Sequence, residues 1–171
     1  MNKIEFGWFA DKVVIRVVGK GSFLNSRNFK EGIQSLLKKK YENIIIDFKS
    51  CTGMDSTFIG VLTGVTLRLI KKKANIIQIA NITKINRELL ETLGVIRFFN
   101  IIEEECDFNI DLEAVADTPE YPDEAIDQIR HILEAHEHLM EADDQNKERF
   151  KLVAETLEKE LKDKTEKKDG K

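Results

Sequence analysis

The stretch IIIDFKSCTGMDSTFIGVLTGVTLRL, residues 44–69, decides the fold. It runs from a β-branched segment through a polar turn into apolar residues at helical spacing. Asn43 to Phe48 is almost uninterrupted in its apolar character, as in a central strand covered on both faces, and Asp47 is its one charge. From Ser56 to Ile70, Phe58, Ile59, Leu62, Val65, Leu69 and Ile70 share an inward face of a helix. The following Lys71, Lys72 and Lys73 suit the negative end of that helix's dipole and a solvated last turn. Residues 51–57 lie between, as a strand-to-helix turn. Open α/β sheets place function in such turns, at the carboxyl ends of their strands.

Outward toward the N-terminus, Ile4 to Phe9 and Val13 to Val18 are two β-rich runs separated only by Ala10, Asp11 and Lys12, a spacing that predicts a hairpin. After GKGS, the segment Asn25 to Lys40 sets Phe29, Ile33, Leu36 and Leu37 at helical spacing, with Asn25 or Ser26 as its N-cap. Toward the C-terminus come a β-run from Asn75 to Ala80, a helix from Thr83 to Leu93 closed by Gly94, and an apolar run from Phe98 to Ile102. The order β-β-α-β-α-β-α-β predicts an α/β fold: a mixed, mainly parallel sheet with an antiparallel first strand at its edge and flanking helices.

Both prolines, Pro119 and Pro122, fall just beyond this pattern and mark a linker over 117–123. Residues 1–116 form the predicted body and 124–162 a C-terminal helical extension, with 163–171 a tail without ordered structure. In the extension Ile126, Ile129, Leu133, Met140, Phe150, Leu157 and Leu161 follow heptad-compatible positions, interrupted by His136, Asp143 and Lys147. The spacing fits one long helix or a helical hairpin that folds near Asp143 to Asn146. Such a stripe predicts a helix that packs on the body or forms a homodimer. Charge separates the two parts as well. Residues 1–116 carry 17 basic and 14 acidic side chains, net +3, whereas 117–171 carry 10 and 17, net −7.

At 171 residues, 42% hydrophobic and 34% charged, the chain fits one soluble domain with an appendage. It has no apolar run long enough to span a membrane, and MNKIEFGWF sets Lys3 and Glu5 where an export signal needs apolar residues, so a cytoplasmic protein without membrane partners is expected. The near-neutral body offers no basic, aromatic-studded face for nucleic acid. Cys51 and Cys106 stand apart from any metal-binding spacing and read as reduced packing residues. His131, Glu134 and His138 could share a helical face, but the spacing of known zinc sites is lacking and no metal or cofactor is expected. GKGS lacks the glycine spacing of a phosphate-binding loop, and no catalytic triad or carboxylate pair stands out, which points away from an enzyme.

The polar triplet Asp55, Ser56 and Thr57 remains to be explained. A helix N-terminus presents free N–H groups and the positive end of the dipole, so a hydroxyl there tolerates added phosphate. The simpler reading makes Asp55 or Ser56 an N-cap. The wider pattern carries more: MDST-x-x-G-x-L at 54–62, followed by LLETLGV ending at Val95, resembles the STAS family, named for sulphate transporters and anti-sigma factor antagonists. The resemblance covers about residues 4 to 105. It implies that Ser56, the serine after the aspartate, is the residue phosphorylated by a serine kinase that doubles as anti-sigma factor, with Thr57 a less favoured acceptor. It further implies a partner-binding surface of Asp55, Thr57, Phe58, Ser22, Phe23 and Asn25, and a metal-dependent serine phosphatase that resets the module. The family usually has Gly where this chain has Phe58, and an acidic turn where it has GKGSFLNS. The alternative is a constitutive scaffold or transport-complex subunit of the same fold, without phosphoregulation.

Overall fold

A computed structural model describes residues 2–9, 11–41, 43–111, 113–114 and 124–169; the predicted linker, 117–123, lies outside them. In chain order the elements are β1 (Lys3–Phe9), β2 (Lys12–Gly21), α1 (Phe23–Lys38), β3 (Ile44–Asp47), β4 (Cys51–Met54), α2 (Ser56–Lys71), β5 (Gln78–Ala80), α3 (Lys84–Thr92), β6 (Asn100–Ile101), β7 (Glu113–Ala114), α4 (Glu124–Ala142) and α5 (Asp144–Asp169). A short 3-10 turn, Ile96–Phe98, precedes β6.

The strands form one sheet in the order β6-β5-β3-β2-β1-β7, with β4 paired to the far end of β2. β1 and β2 are the expected antiparallel hairpin, and β2, β3, β5 and β6 run parallel. The isoleucines of residues 44–46 divide between two layers as strand periodicity demands. Ile44 and Ile46 join Val13, Ile15 and Val17 under the helices, while Ile45 joins Val14 beneath Phe108 on the opposite face. The buried charge in this strand has a partner in register. Asp47 faces Arg16 across β2 and β3, accepts from its Nε at 2.7 Å, and accepts also from Lys49 N–H and Asn81 Nδ2.

Several boundaries differ from those predicted. Cys51–Met54 is a strand, drawn into the sheet by the extra length of β2 beyond a register shift at Gly19 and Lys20. β1 is not at the edge, because Glu113–Ala114 pairs with it. The runs from Asn75 and from Phe98 are strand only over 78–80 and 100–101, where they find a partner on β3 and β5. α1 starts at Phe23 rather than at Asn25, with Ser22 at the N-cap.

The extension is a hairpin, and α4 and α5 meet at Asp143. The break is held by Asn146, fully buried, whose Nδ2 donates to the carbonyls of Leu93 and Leu139. Arg97 ties the same corner through Ala142 O and Asp143 Oδ2. Ala135, Leu139, Ala142 and Phe150 enter the same apolar cluster as the sheet and α2; of the predicted stripe, Ile126, Ile129, Leu133 and Phe150 are buried, while Met140, Leu157 and Leu161 are half-buried. α5 continues to Asp169, through residues 163–169 that the sequence reading places outside ordered structure; Lys162–Glu166 and Glu160–Lys164 pairs at i,i+4 spacing lie along this exposed end. No helix among the described residues is long and apolar enough to cross a membrane.

Candidate functional site

The polar triplet sits where β4 passes into α2. Asp55 N–H donates to Gly21 O at 2.9 Å, which lays the turn against the end of β2 and the start of α1. The Asp55 carboxylate then serves two helices at once. Oδ1 accepts from Phe58 N–H at 2.9 Å, the N-cap bond of α2, and Oδ2 accepts from Phe23 N–H at 2.9 Å, at the first residue of α1. Both orphan donors come from helix starts, whose N–H groups have no intrahelical acceptor. Asp55 is therefore a clasp between α1 and α2. Its two oxygens are engaged by backbone rather than by the neighbouring hydroxyl.

Because Asp55 supplies the cap, Ser56 is free of that duty. It is the first residue of α2, half-buried, and its Oγ lies 3.0 Å from Nε2 of His136 on α4. The direction of that bond follows from the other ring nitrogen. Nδ1 of His136 is 2.8 Å from the carbonyl oxygen of Ile132, which can only accept, so Nδ1 carries a proton. In the neutral ring Nε2 is then an acceptor, and the Ser56 hydroxyl donates to it. His136 is 4% exposed and packs edge-on against Phe150, which fixes the ring.

A second serine–histidine contact lies beside the first. Ser26 Oγ, in the first turn of α1, is 2.8 Å from Nε2 of His131, one turn earlier on α4. Burial, with the Lys30 ammonium and Arg27 guanidinium nearby, pushes His131 down to about 4. α4 thus crosses the N-terminal ends of both helices. Salt bridges continue the seam: Glu134 with Lys30 at 2.6 Å and Arg68 at 2.9 Å, and Glu141 with Lys71 at 2.7 Å. The acidic surplus of the extension meets basic side chains of α1 and α2 here. His131 and Glu134, two of the three residues predicted to share a face, are thereby spent on the seam.

The six predicted partner-binding residues do not form one accessible surface. Phe58 is fully buried, its ring tilted against that of Phe29 with centroids 4.9 Å apart and lying under Gly21, where a Cβ would overlap it; it is a core residue and not a partner contact. Thr57, Ser22 and Asn25 are also buried, Asn25 with its Oδ1 accepting from Ser22 N–H at 2.8 Å. Phe23 remains exposed, and Leu24 beside it is 68% exposed. Sequence reading missed His136 as a site residue. Its signal is a polar residue on an otherwise apolar stripe, visible but without an indication of what it meets.

The STAS domain family model matches residues 9–107, and the chain belongs to that family. The match ends before α4 begins. Among solved structures, the chain is similar to a candidate anti-sigma factor antagonist of Thermotoga maritima, at 16% identity and a TM-score of 0.51 over 56% of this chain and 82% of that one. It is similar also to the anti-sigma factor antagonist SpoIIAA in its unphosphorylated form, at 19% identity and a TM-score of 0.51 over 59% of this chain and 89% of that one. These likenesses concern the fold. No curated protein sequence matches the chain.

Proposed function

We propose that this protein is a phosphorylation-regulated binding module of the anti-sigma factor antagonist type, acting in the cytoplasm by partner switching, with Ser56 as phosphoacceptor. One observation carries the reading: Asp55 takes the whole capping role, so the hydroxyl at the start of α2 is not needed to hold the helix. Thr57 is the poorer acceptor, being 6% exposed. In the phosphorylation step a serine kinase transfers the γ-phosphoryl group of ATP. An Oγ–P bond forms, the bond to the bridging oxygen breaks, ADP leaves and the hydroxyl proton is released. The new group brings about −1.5 to −2 charges, placed near the free N–H groups and positive dipole of α2. On a surface that includes exposed Phe23 and Leu24, desolvating that charge opposes association.

The unmodified protein binds a serine kinase of the anti-sigma type, the phosphorylated protein leaves it, and a metal-dependent phosphatase restores the first state. The protein itself performs no catalysis in this scheme. The test is to capture partners of the wild-type chain and of Ser56→Asp from the cells that make it, then incubate the captured kinase with the chain and ATP. Support is a serine kinase that binds the wild type, is lost from Ser56→Asp, and labels Ser56. Phosphate mapped to Thr57, or equal capture by both forms, overturns the reading, the latter in favour of a constitutive scaffold.

A further inference from the structure

The helical hairpin occupies the face of α2 that begins at Ser56, and its fit there is close. Gly60 and Gly64 form a groove on α2. A Cβ on Gly60 would overlap the carbonyl oxygen of Ala135, and one on Gly64 the ring of His138. α4 therefore touches α2 at backbone distance one turn beyond Ser56, with no room for an added group between them. At the first turn the hydroxyl of Ser56 donates to His136, whose ring is held behind by Ile132 O and Phe150.

We propose that the docked hairpin and a phosphate on Ser56 exclude one another, so that α4 is an intramolecular occupant of the partner-binding face and phosphorylation keeps it from closing. Phosphorylation removes the hydroxyl hydrogen of Ser56, so the Oγ can no longer donate to His136 Nε2. It also adds three phosphate oxygens and their charge to a space already filled by the imidazole. The closed, unphosphorylated chain is a latent form. A partner that reaches Ser56 binds the fraction in which the hairpin is open, and its apparent affinity is reduced by that fraction. The hairpin lies outside the residues that match the family, so this control belongs to the chain's own extension.

This inference rests on the assignment of Ser56 as phosphoacceptor, but its test needs no kinase. The full chain is prepared with phosphoserine at position 56 by protein ligation and compared with the unmodified chain by amide hydrogen exchange. The expected result is exchange about tenfold or more faster across residues 124–142, with β2 and β3 unchanged. Gly60→Ala, which places a methyl against Ala135 O and leaves Ser56 intact, should give the same signature without phosphate. Unchanged protection of α4 in the phosphoserine chain would overturn the proposal and show the phosphate held beneath the hairpin. Loss of protection in the sheet as well would also overturn it, since the hairpin would then be inseparable from the core. A chain that its kinase labels elsewhere refutes the functional assignment and leaves this exchange result standing.

Discussion

Replacing Asp55 with Ala removes an acceptor shared by two helix starts, and its cost can be worked from the two bonds. The bond from Phe58 N–H is an N-cap bond, whose loss costs about 1 kcal/mol and up to about 2. The bond from Phe23 N–H is exposed, so water replaces part of it and its loss adds about 0.5–1 kcal/mol. Asp55→Ala should therefore lower stability by about 2 kcal/mol. Asp55→Asn keeps one carbonyl oxygen but turns an amide N–H toward one of the two donors, and should cost about 1 kcal/mol. Urea unfolding reads both as shifts of the midpoint at constant slope; for a slope of about 2 kcal/mol per molar, Asp55→Ala moves it by about 1 M. Ser56→Ala serves as the internal comparison. It leaves both clasp bonds in place and orphans only the Nε2 of His136, at about 1–2 kcal/mol. An Asp55→Ala protein within 0.5 kcal/mol of wild type, or an Asn variant less stable than the Ala variant, would refute the clasp.

Three further outcomes follow from the same geometry. Phe58→Ala should destabilise by about 3–5 kcal/mol because the ring is fully buried between Phe29 and Gly21; thermal unfolding checks this, and a loss below 1 kcal/mol would mean the side chain is a surface contact after all. Truncation to residues 1–116 should retain cooperative unfolding yet lower stability and promote association, since the α2 face loses Leu139, Ala135 and Phe150 from its cover; denaturant melts and sedimentation read both, and a monomer of unchanged stability would contradict the shared core. Stability should also fall as pH drops from about 6.5 to about 4, because the unfolded chain takes up a proton that folded His131, pushed down to about 4, refuses; the slope approaches about 1.4 kcal/mol per pH unit, and His131→Gln should flatten it, leaving the smaller effect of His138, which burial also lowers. An unaltered slope in that variant would show that His131 titrates freely.

Much of the molecule can be read in local sequence because local physics dictates it. The loss of alternation at Ile44, Ile45 and Ile46 requires a strand covered on both faces, and the spacing from Phe58 to Leu69 requires a helix with a buried side; the order of such elements then leaves few topologies. MDST at a strand-to-helix turn likewise marks the site by position. Short or isolated segments resist this reading. Cys51–Met54 and Glu113–Ala114 are strands only because β2 and β1 present free edges to them, a property of the partner and not of the segment. The same holds for side chains. Helical spacing turns Phe58 inward while the family resemblance places it on the partner surface; Gly21 and Phe29, distant in sequence, close over it and decide for the core. The sequence of α4 shows a polar position on an apolar stripe, but nothing within that stripe specifies that His136 meets Ser56 across 80 residues. Composition and periodicity determine which face of each element is buried. What that face is buried against depends on how the helices dock, and here the docking of one glycine-lined helix against the extension decides what covers Ser56.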